Sequence, residues 1–259
     1  MNEANSLRIG AENLSQTYLG IGKAAPGSEI GHGRGFLFCT CDFPHPIGNF
    51  GILLEDSDEA IEALAAIAEG RPAFHVYAPT RLDDDDLARR LARKGFRGGY
   101  RLCLMLAHPE RISTDWRFPP DIELHQAETD EARSRVARFM GEQFFARHGA
   151  EVVEQLAATT TASPHVLWYA ERGHTTVGAV MISRSEHALG IYNLCVGPAF
   201  QSRGVGAAIV AQVLRVAEKV GRLVVLQCDG SLERWYGALG FGTVGEVQVA
   251  ALDQRRGRL

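Results

Sequence analysis

The passage from Leu189 to Gln227 constrains the fold most. An apolar strand-like run, Leu189 to Val196, leads through a glycine-rich turn into an amphipathic helix, Gly204 to Val220, and then into a buried strand, Leu223 to Gln227. Val205, Ile209, Val213, Val216, Ala217 and Val220 recur at helical spacing, and Gly221 stands just past the end. A strand, helix, strand succession returns the chain parallel to itself, because a hairpin leaves no room for a crossover helix. Upstream, Val166 to Glu171, Val177 to Ile182 and Leu189 to Val196 read as an antiparallel meander, turning at Gly173-His174 and near Glu186-His187. The fold class is therefore α/β (α+β), with a mixed, mostly antiparallel sheet flanked by helices.

The remaining second-half elements follow from caps and periodicity. Ile122 to His125 is strand-like, and Thr129 caps a helix to about Arg147 with Val136, Phe139, Met140 and Phe144 at core spacing. Val152 to Ala158 forms a shorter helix, Leu232 to Leu239 another, and a last strand runs from Phe241 to about Leu252. The first half reads as irregular up to Phe36. Strands are expected at Phe36 to Cys41, Phe50 to Leu54, Phe74 to Ala78 and, after a Gly98-Gly99 turn, Arg101 to Leu106. Helices are expected from the Asp56-Ser57 cap through Ala68 and from Leu82 to Lys94. The second opens on Asp83 to Asp86, which suit the unpaired amides and positive dipole end of a helix better than a cation. Pro109 to Pro120 is prolines and polar residues, a candidate linker, so the chain divides into 1–118 and 119–259.

Composition removes several function classes. The 259 residues are 46% hydrophobic, enough for a sizeable core, and a net charge of −4 lacks the basic surplus of a phosphate-backbone binder. No run approaches the roughly 18–20 apolar residues that span a bilayer, and the opening residues lack the basic-then-apolar order of a secretory signal. The expectation is a cytoplasmic protein with neither nucleic acid nor membrane as partner. Cys39, Cys41, Cys103, Cys195 and Cys228 are odd in number and sit in strand-like contexts, so they read as reduced core thiols. With no ligand spacing among them or the histidines, no metal is expected.

The chemistry concentrates in Val196-Gly-Pro198-Ala-Phe-Gln201-Ser-Arg203-Gly204-Val-Gly206-Ala207. Pro198 stops the strand, the glycines admit a ligand close to the backbone, and the helix that follows presents free N–H groups with its positive end. Such a mouth suits a pyrophosphate. A Walker loop would end in Gly-Lys-Ser/Thr, which Gly206-Ala207-Ala208 does not supply, and a dinucleotide fingerprint would place a third glycine where Ile209 stands. Gln201-x-x-Gly204-x-Gly206 instead resembles the acetyl-CoA signature of the GNAT N-acetyltransferases. Trp235-Tyr236-Gly-Ala-Leu239-Gly240-Phe241 is similar to that family's Tyr-x-x-x-Gly-Phe ending. The resemblance covers about Asp121 to Leu252. Lys94-Gly95-Phe96 and the strand after it resemble the same ending, without a Gln-x-x-Gly-x-Gly counterpart, which implies two tandem GNAT-like domains, the first degenerate.

The resemblance implies acetyl transfer from acetyl-CoA to a primary amine of a small molecule or a protein. It places backbone groups of Leu194, Cys195 and Val196 along the pantetheine, and Gln201, Ser202, Arg203, Gly204, Val205, Gly206 and Ala207 around the diphosphate. Tyr236 falls beside the sulfur as the acid. Asp229 stands where many relatives carry an asparagine that touches the cofactor, with Ser231 as a substitute. Candidates for the base are Glu142, Glu186, His187, and Asn193 or Tyr192 ordering a water; Cys195 as nucleophile competes with a core thiol. A non-catalytic acyl-CoA sensor, a longer acyl chain and a hydroxyl acceptor are the alternatives, and a homodimer is compatible with each.

Overall fold

The computed structural model describes residues 2–71, 73–112 and 115–252. Its chain forms two compact units that interleave in sequence. One unit combines the chain up to Met105 with 227–234 and the segment from Thr243 onward; the other combines Leu106–Leu226 with Trp235–Gly242.

The first unit begins with α1 (Glu3–Lys23), followed by β1 (Glu29–Gly33), β2 (Phe36–Thr40), β3 (Phe50–Leu53), α2 (Asp58–Ala68), β4 (His75–Thr80), α3 (Asp85–Arg93) and β5 (Phe96–Ala107). Strands β1, β2 and β3 pair antiparallel, and β3 pairs parallel with β4, the crossover being α2. The expectation of an irregular stretch before Phe36 is corrected by α1. Ile9, Leu14 and Ile21 are buried, but so are Asn13, Ser15 and Thr17, and these polar positions break the apolar periodicity. The Ser15 and Thr17 hydroxyls donate back to the carbonyls of Ala11 and Asn13 at 2.8 and 2.6 Å, which keeps them satisfied inside the helix.

A second correction concerns the Gly98-Gly99 turn, which lies inside β5. The carbonyl of Val249 sits 2.3 Å from where a Cβ on Gly99 would stand, so the glycine allows a neighbouring strand to close in. That neighbour is β11 (Gly242–Leu252), which occupies the place between β4 and β5 and runs antiparallel to β4 from Glu246↔Thr80 to Ala251↔His75. One core joins Val247 and Val249 of β11 to Leu14, Phe50, Tyr77 and Leu104. Another packs Ile61 and Leu64 of α2 and Leu87 and Leu91 of α3 against Phe74, Val76 and Phe96.

The aspartate run resolves into local roles. Asp84 is the N-cap of α3, accepting the Leu87 N–H at 3.1 Å and the Thr80 hydroxyl at 2.7 Å; these bonds hold its carboxyl below the usual range. Asp85 and Asp86 pair with Arg101 and Arg89. Replacing Asp84 by alanine is expected to cost about 1 kcal/mol in denaturant unfolding, the usual value of a lost cap. Because the folded-state pKa is depressed, that contribution is present above the unfolded carboxylate pKa and disappears as pH falls through the folded one.

The second unit holds β6 (Glu123–Gln126), α4 (Asp130–Phe145), α5 (Ala150–Ala162), β7 (Val166–Arg172), β8 (Thr175–Arg184), β9 (Ala188–Val196), α6 (Val205–Lys219) and most of β10 (Leu223–Cys228). Strands β6 to β9 form the expected antiparallel meander, and β10 returns parallel to β9 after α6. The Thr129 hydroxyl caps α4 by accepting the Ala132 N–H at 3.2 Å. Arg133 on α4 donates to the carbonyls of Thr161, Ser163 and His165, at 2.9, 2.7 and 3.0 Å, and so ties down the end of α5. Both units thus repeat a meander followed by a parallel crossover. Of the expected linker, Ser113 and Thr114 lie outside the described residues.

Candidate functional site

The site starts as a defect in β9. Its ladder with β8 runs from Ile182↔Ile191 and Met181↔Tyr192 to Ala179↔Cys195, so Asn193 and Leu194 together oppose Val180. Asn193 takes φ +49°, a bulge conformation that bends the strand and frees backbone groups from pairing. On the other edge, the parallel ladder with β10 runs to Ile191↔Leu226, and Asn193 to Val196 continue beyond it. The strand therefore offers an open edge over its last residues.

The chain leaves β9 by a tight path. Gly197 donates to Val177 at 2.9 Å, Pro198–Phe200 form a 3-10 turn, and the Gln201 side-chain amide donates back to the Val196 carbonyl at 3.1 Å. Gln201 thus braces the loop. Gly204 is the N-cap of α6 at φ +82°, a conformation that costs a residue with a Cβ roughly 1–2 kcal/mol. Nothing lies within 4 Å of a Cβ built there.

Among the described α-helices, α6 alone has neither a side-chain cap nor an acidic residue in its first turn; Asn2, Ser57, Asp84 and Thr129 cap α1 to α4, while α5 and α7 (Gly230–Ala238) carry Glu151 and Glu233. The first-turn amides of Val205, Gly206 and Ala207 lack the i−4 partners of a helix interior, and the dipole adds partial positive charge. Arg203 adds a full one. Its guanidinium stacks on Phe200 at 5.6 Å and has no ion-pair partner among the described residues. These groups fit a diphosphate.

The region of Trp235 and Tyr236 meets this cradle from one side. The Trp235 indole would be 3.6 Å from a Cβ on Gly206, so it rests on the helix start. Tyr236 is the one buried side chain of α7, edge-on to Trp235 and Phe241 at 4.6 and 5.7 Å. Its carbonyl accepts the N–H groups of Leu239 and Phe241 at 3.0 and 3.1 Å, which closes the helix end.

Other expected residues sort differently. The Asp229 carboxylate accepts the Ser231 N–H at 2.9 Å, and its bonds to that residue lower its pKa; both side chains are exposed and belong to the first unit. Burial pushes the Cys195 thiol up to about 12, which suits a core thiol rather than a nucleophile. Glu186 and His187 stand before the start of β9, which puts them more than about 20 Å along the strand from Leu194 to Val196, too far to act as base there. Glu142 is exposed on α4. Sequence reasoning placed Phe139 only in the core, yet its ring lies 3.9 Å from a Cβ position on Gly197, at the mouth of the strand.

Residues 126–251 match the family model described as an acetyltransferase (GNAT) domain. That stretch is a GNAT domain. No curated protein matches the sequence. Among solved structures, a GCN5-related N-acetyltransferase from Kribbella flavida is 14% identical with a TM-score of 0.69, over 95% of each chain. A tandem GNAT protein from the clavulanic acid biosynthesis pathway is 12% identical with a TM-score of 0.59, over 96% of this chain and 94% of its own. A functionally unknown conserved protein from Staphylococcus epidermidis is 17% identical with a TM-score of 0.62, over 82% and 89%. At these identities the likeness is one of fold. It spans both GNAT-like halves.

The first half keeps the GNAT-like order but not the cradle. The loop after β3 is Leu54-Glu55-Asp56-Ser57, and Ser57 caps α2 by accepting the Ala60 N–H at 3.2 Å. Arg90 pairs with Asp56 and with Asp58, the latter at 2.8 Å, and Lys94 pairs with Glu62 at 2.9 Å. Leu91 stands five residues before Phe96, as Tyr236 stands before Phe241. A capped, anionic helix start repels a diphosphate.

Proposed function

We propose that the second half transfers an acetyl group from acetyl-CoA to a primary amine of a small molecule or a protein, in the cytoplasm, by direct attack of the amine on the thioester. Halves 1–118 and 119–259 then represent a degenerate and an active copy. The uncapped start of α6 behind a bulged strand carries this reading, since every other described α-helix has a side-chain cap or an acidic residue in its first turn.

The roles divide by position. Amides of Arg203 to Ala207 hold the diphosphate with the Arg203 guanidinium, while Gln201 and Ser202 shape the loop. Backbone groups of Leu194, Cys195 and Val196 bind the pantetheine amides and polarise the thioester carbonyl, where charge develops as nitrogen attacks. When the C–S bond breaks, Tyr236 supplies the proton that the leaving sulfur takes up and recovers one from solvent. An alkyl ammonium with pKa ~10.4 lies about 3.4 units above pH 7, so deprotonating the acceptor costs ~4.6 kcal/mol. Asn193, in the bulge, or Tyr192 beside it orders the water that carries this proton away.

Incubation with acetyl-CoA and a panel of amines, following free thiol, tests the reading. Amine-dependent thiol release beyond hydrolysis is the expected result; tight binding with no release by any amine contradicts it. Gly204→Val places a side chain in the diphosphate's space and strains φ. Losing about two charge-assisted hydrogen bonds at ~1.5 kcal/mol each predicts a Kd raised about 100-fold. An unchanged Kd contradicts the cradle.

A further inference from the structure

The segment between the two halves has a place in the second unit. After a 3-10 turn at Pro109–Arg111, the Ile112 side chain lies over Gly240: its Cγ1, Cδ1 and Cγ2 atoms are 2.6, 2.7 and 3.0 Å from where a Cβ on Gly240 would stand. Any larger residue at 240 collides with it, and loss of both γ carbons at 112 leaves a void. A few residues on, the Trp116 carbonyl accepts from Arg215 of α6 at 3.0 Å. The segment is held at two points against α6 and the end of α7.

Gly240 belongs to the short stretch that fixes Tyr236. Leu239 and Phe241, on either side of it, both donate to the Tyr236 carbonyl, and Gly240 itself donates to Gly237 at 3.0 Å. Tyr236 is the only buried side chain of α7, while Glu233 at the other end of the helix accepts the Thr243 hydroxyl. Trp235 against Gly206 secures the cradle side, and Ile112 against Gly240 secures the opposite end of the same turn.

We propose that Ile112 is a positioning residue for Tyr236, holding the Leu239-Gly240-Phe241 turn and through it the tyrosine hydroxyl at the reacting sulfur. The claim rests on the acid role assigned to Tyr236 above. A void beside Gly240 lets the turn rock, and small displacements of a catalytic group cost rate more than they cost donor affinity.

A double-mutant cycle in kcat tests it, with Ile112→Ala, Ile112→Val and Tyr236→Phe, alongside hydrogen exchange at the Leu239 and Phe241 amides. Ile112→Ala is expected to lower kcat about tenfold with Kd for acetyl-CoA within about twofold, and to cost less than about twofold in the Tyr236→Phe background. It should also speed exchange at both amides, and Ile112→Val should restore parent values. Equal losses in both backgrounds, or unchanged exchange in Ile112→Ala, would overturn the proposal. Faster exchange with a kcat unmoved by Tyr236→Phe would remove the acid role instead.

Discussion

A chain beginning at Pro119 is expected to give no active monomer. Six residue pairs join β11 to β4, and Val247 and Val249 of β11 are buried with Leu14, Phe50 and Tyr77 in the first unit. Without residues 1–118, those two valines lose burial worth about 1.5–3 kcal/mol each, and the strand presents an unpaired edge, the usual start of aggregation. Stabilities of 5–15 kcal/mol do not absorb such a loss together with the missing ladder. Expression of 119–259 alone should yield aggregate without thioesterase or transferase activity, and co-expression with 1–118 should recover soluble protein. A soluble 119–259 monomer with the parent's turnover would show that β11 needs no partner from the first half.

Tyr236→Phe is expected to lower kcat about 100-fold with little change in acetyl-CoA affinity, at the lower end of what general acid catalysis contributes. The ring's packing against Trp235 and Phe241 survives the substitution, since only the hydroxyl is removed. Loss of affinity with turnover unchanged would identify the hydroxyl as a binding group; steady-state kinetics at saturating donor separate the two.

The second half was legible because each of its signals is local. Thr129 caps within one turn, the α6 stripe repeats within one helix, and Pro198 with Gly204 marks the strand-to-helix mouth without reference to distant residues. Even the bulge, at Asn193 and Leu194, reaches the strand segment expected to bind the cofactor. What sequence reasoning missed depends on long-range neighbours. Helix α1 buries Asn13 and Thr17, so it lacks the apolar period that marks a helix. Gly99 looks like a turn until Val249, far along the chain, is placed against it. Ile112 looks like linker until it meets Gly240, and β11 was expected as a strand without any sign of which unit it completes. Glu186 and His187 had suitable chemistry, but the length of β9 removes them.

Titration calorimetry with coenzyme A is the most direct test of the central claim, that the amides opening α6 grip a diphosphate. One molecule bound per chain is predicted, because the corresponding loop of the first half is capped by Ser57 and carries Asp56 and Asp58 paired with Arg90. Gly204→Val should abolish most of that heat without shifting the unfolding transition by more than the strain of one left-handed residue. Two equal sites, no site, or a single site indifferent to Gly204 would contradict the account.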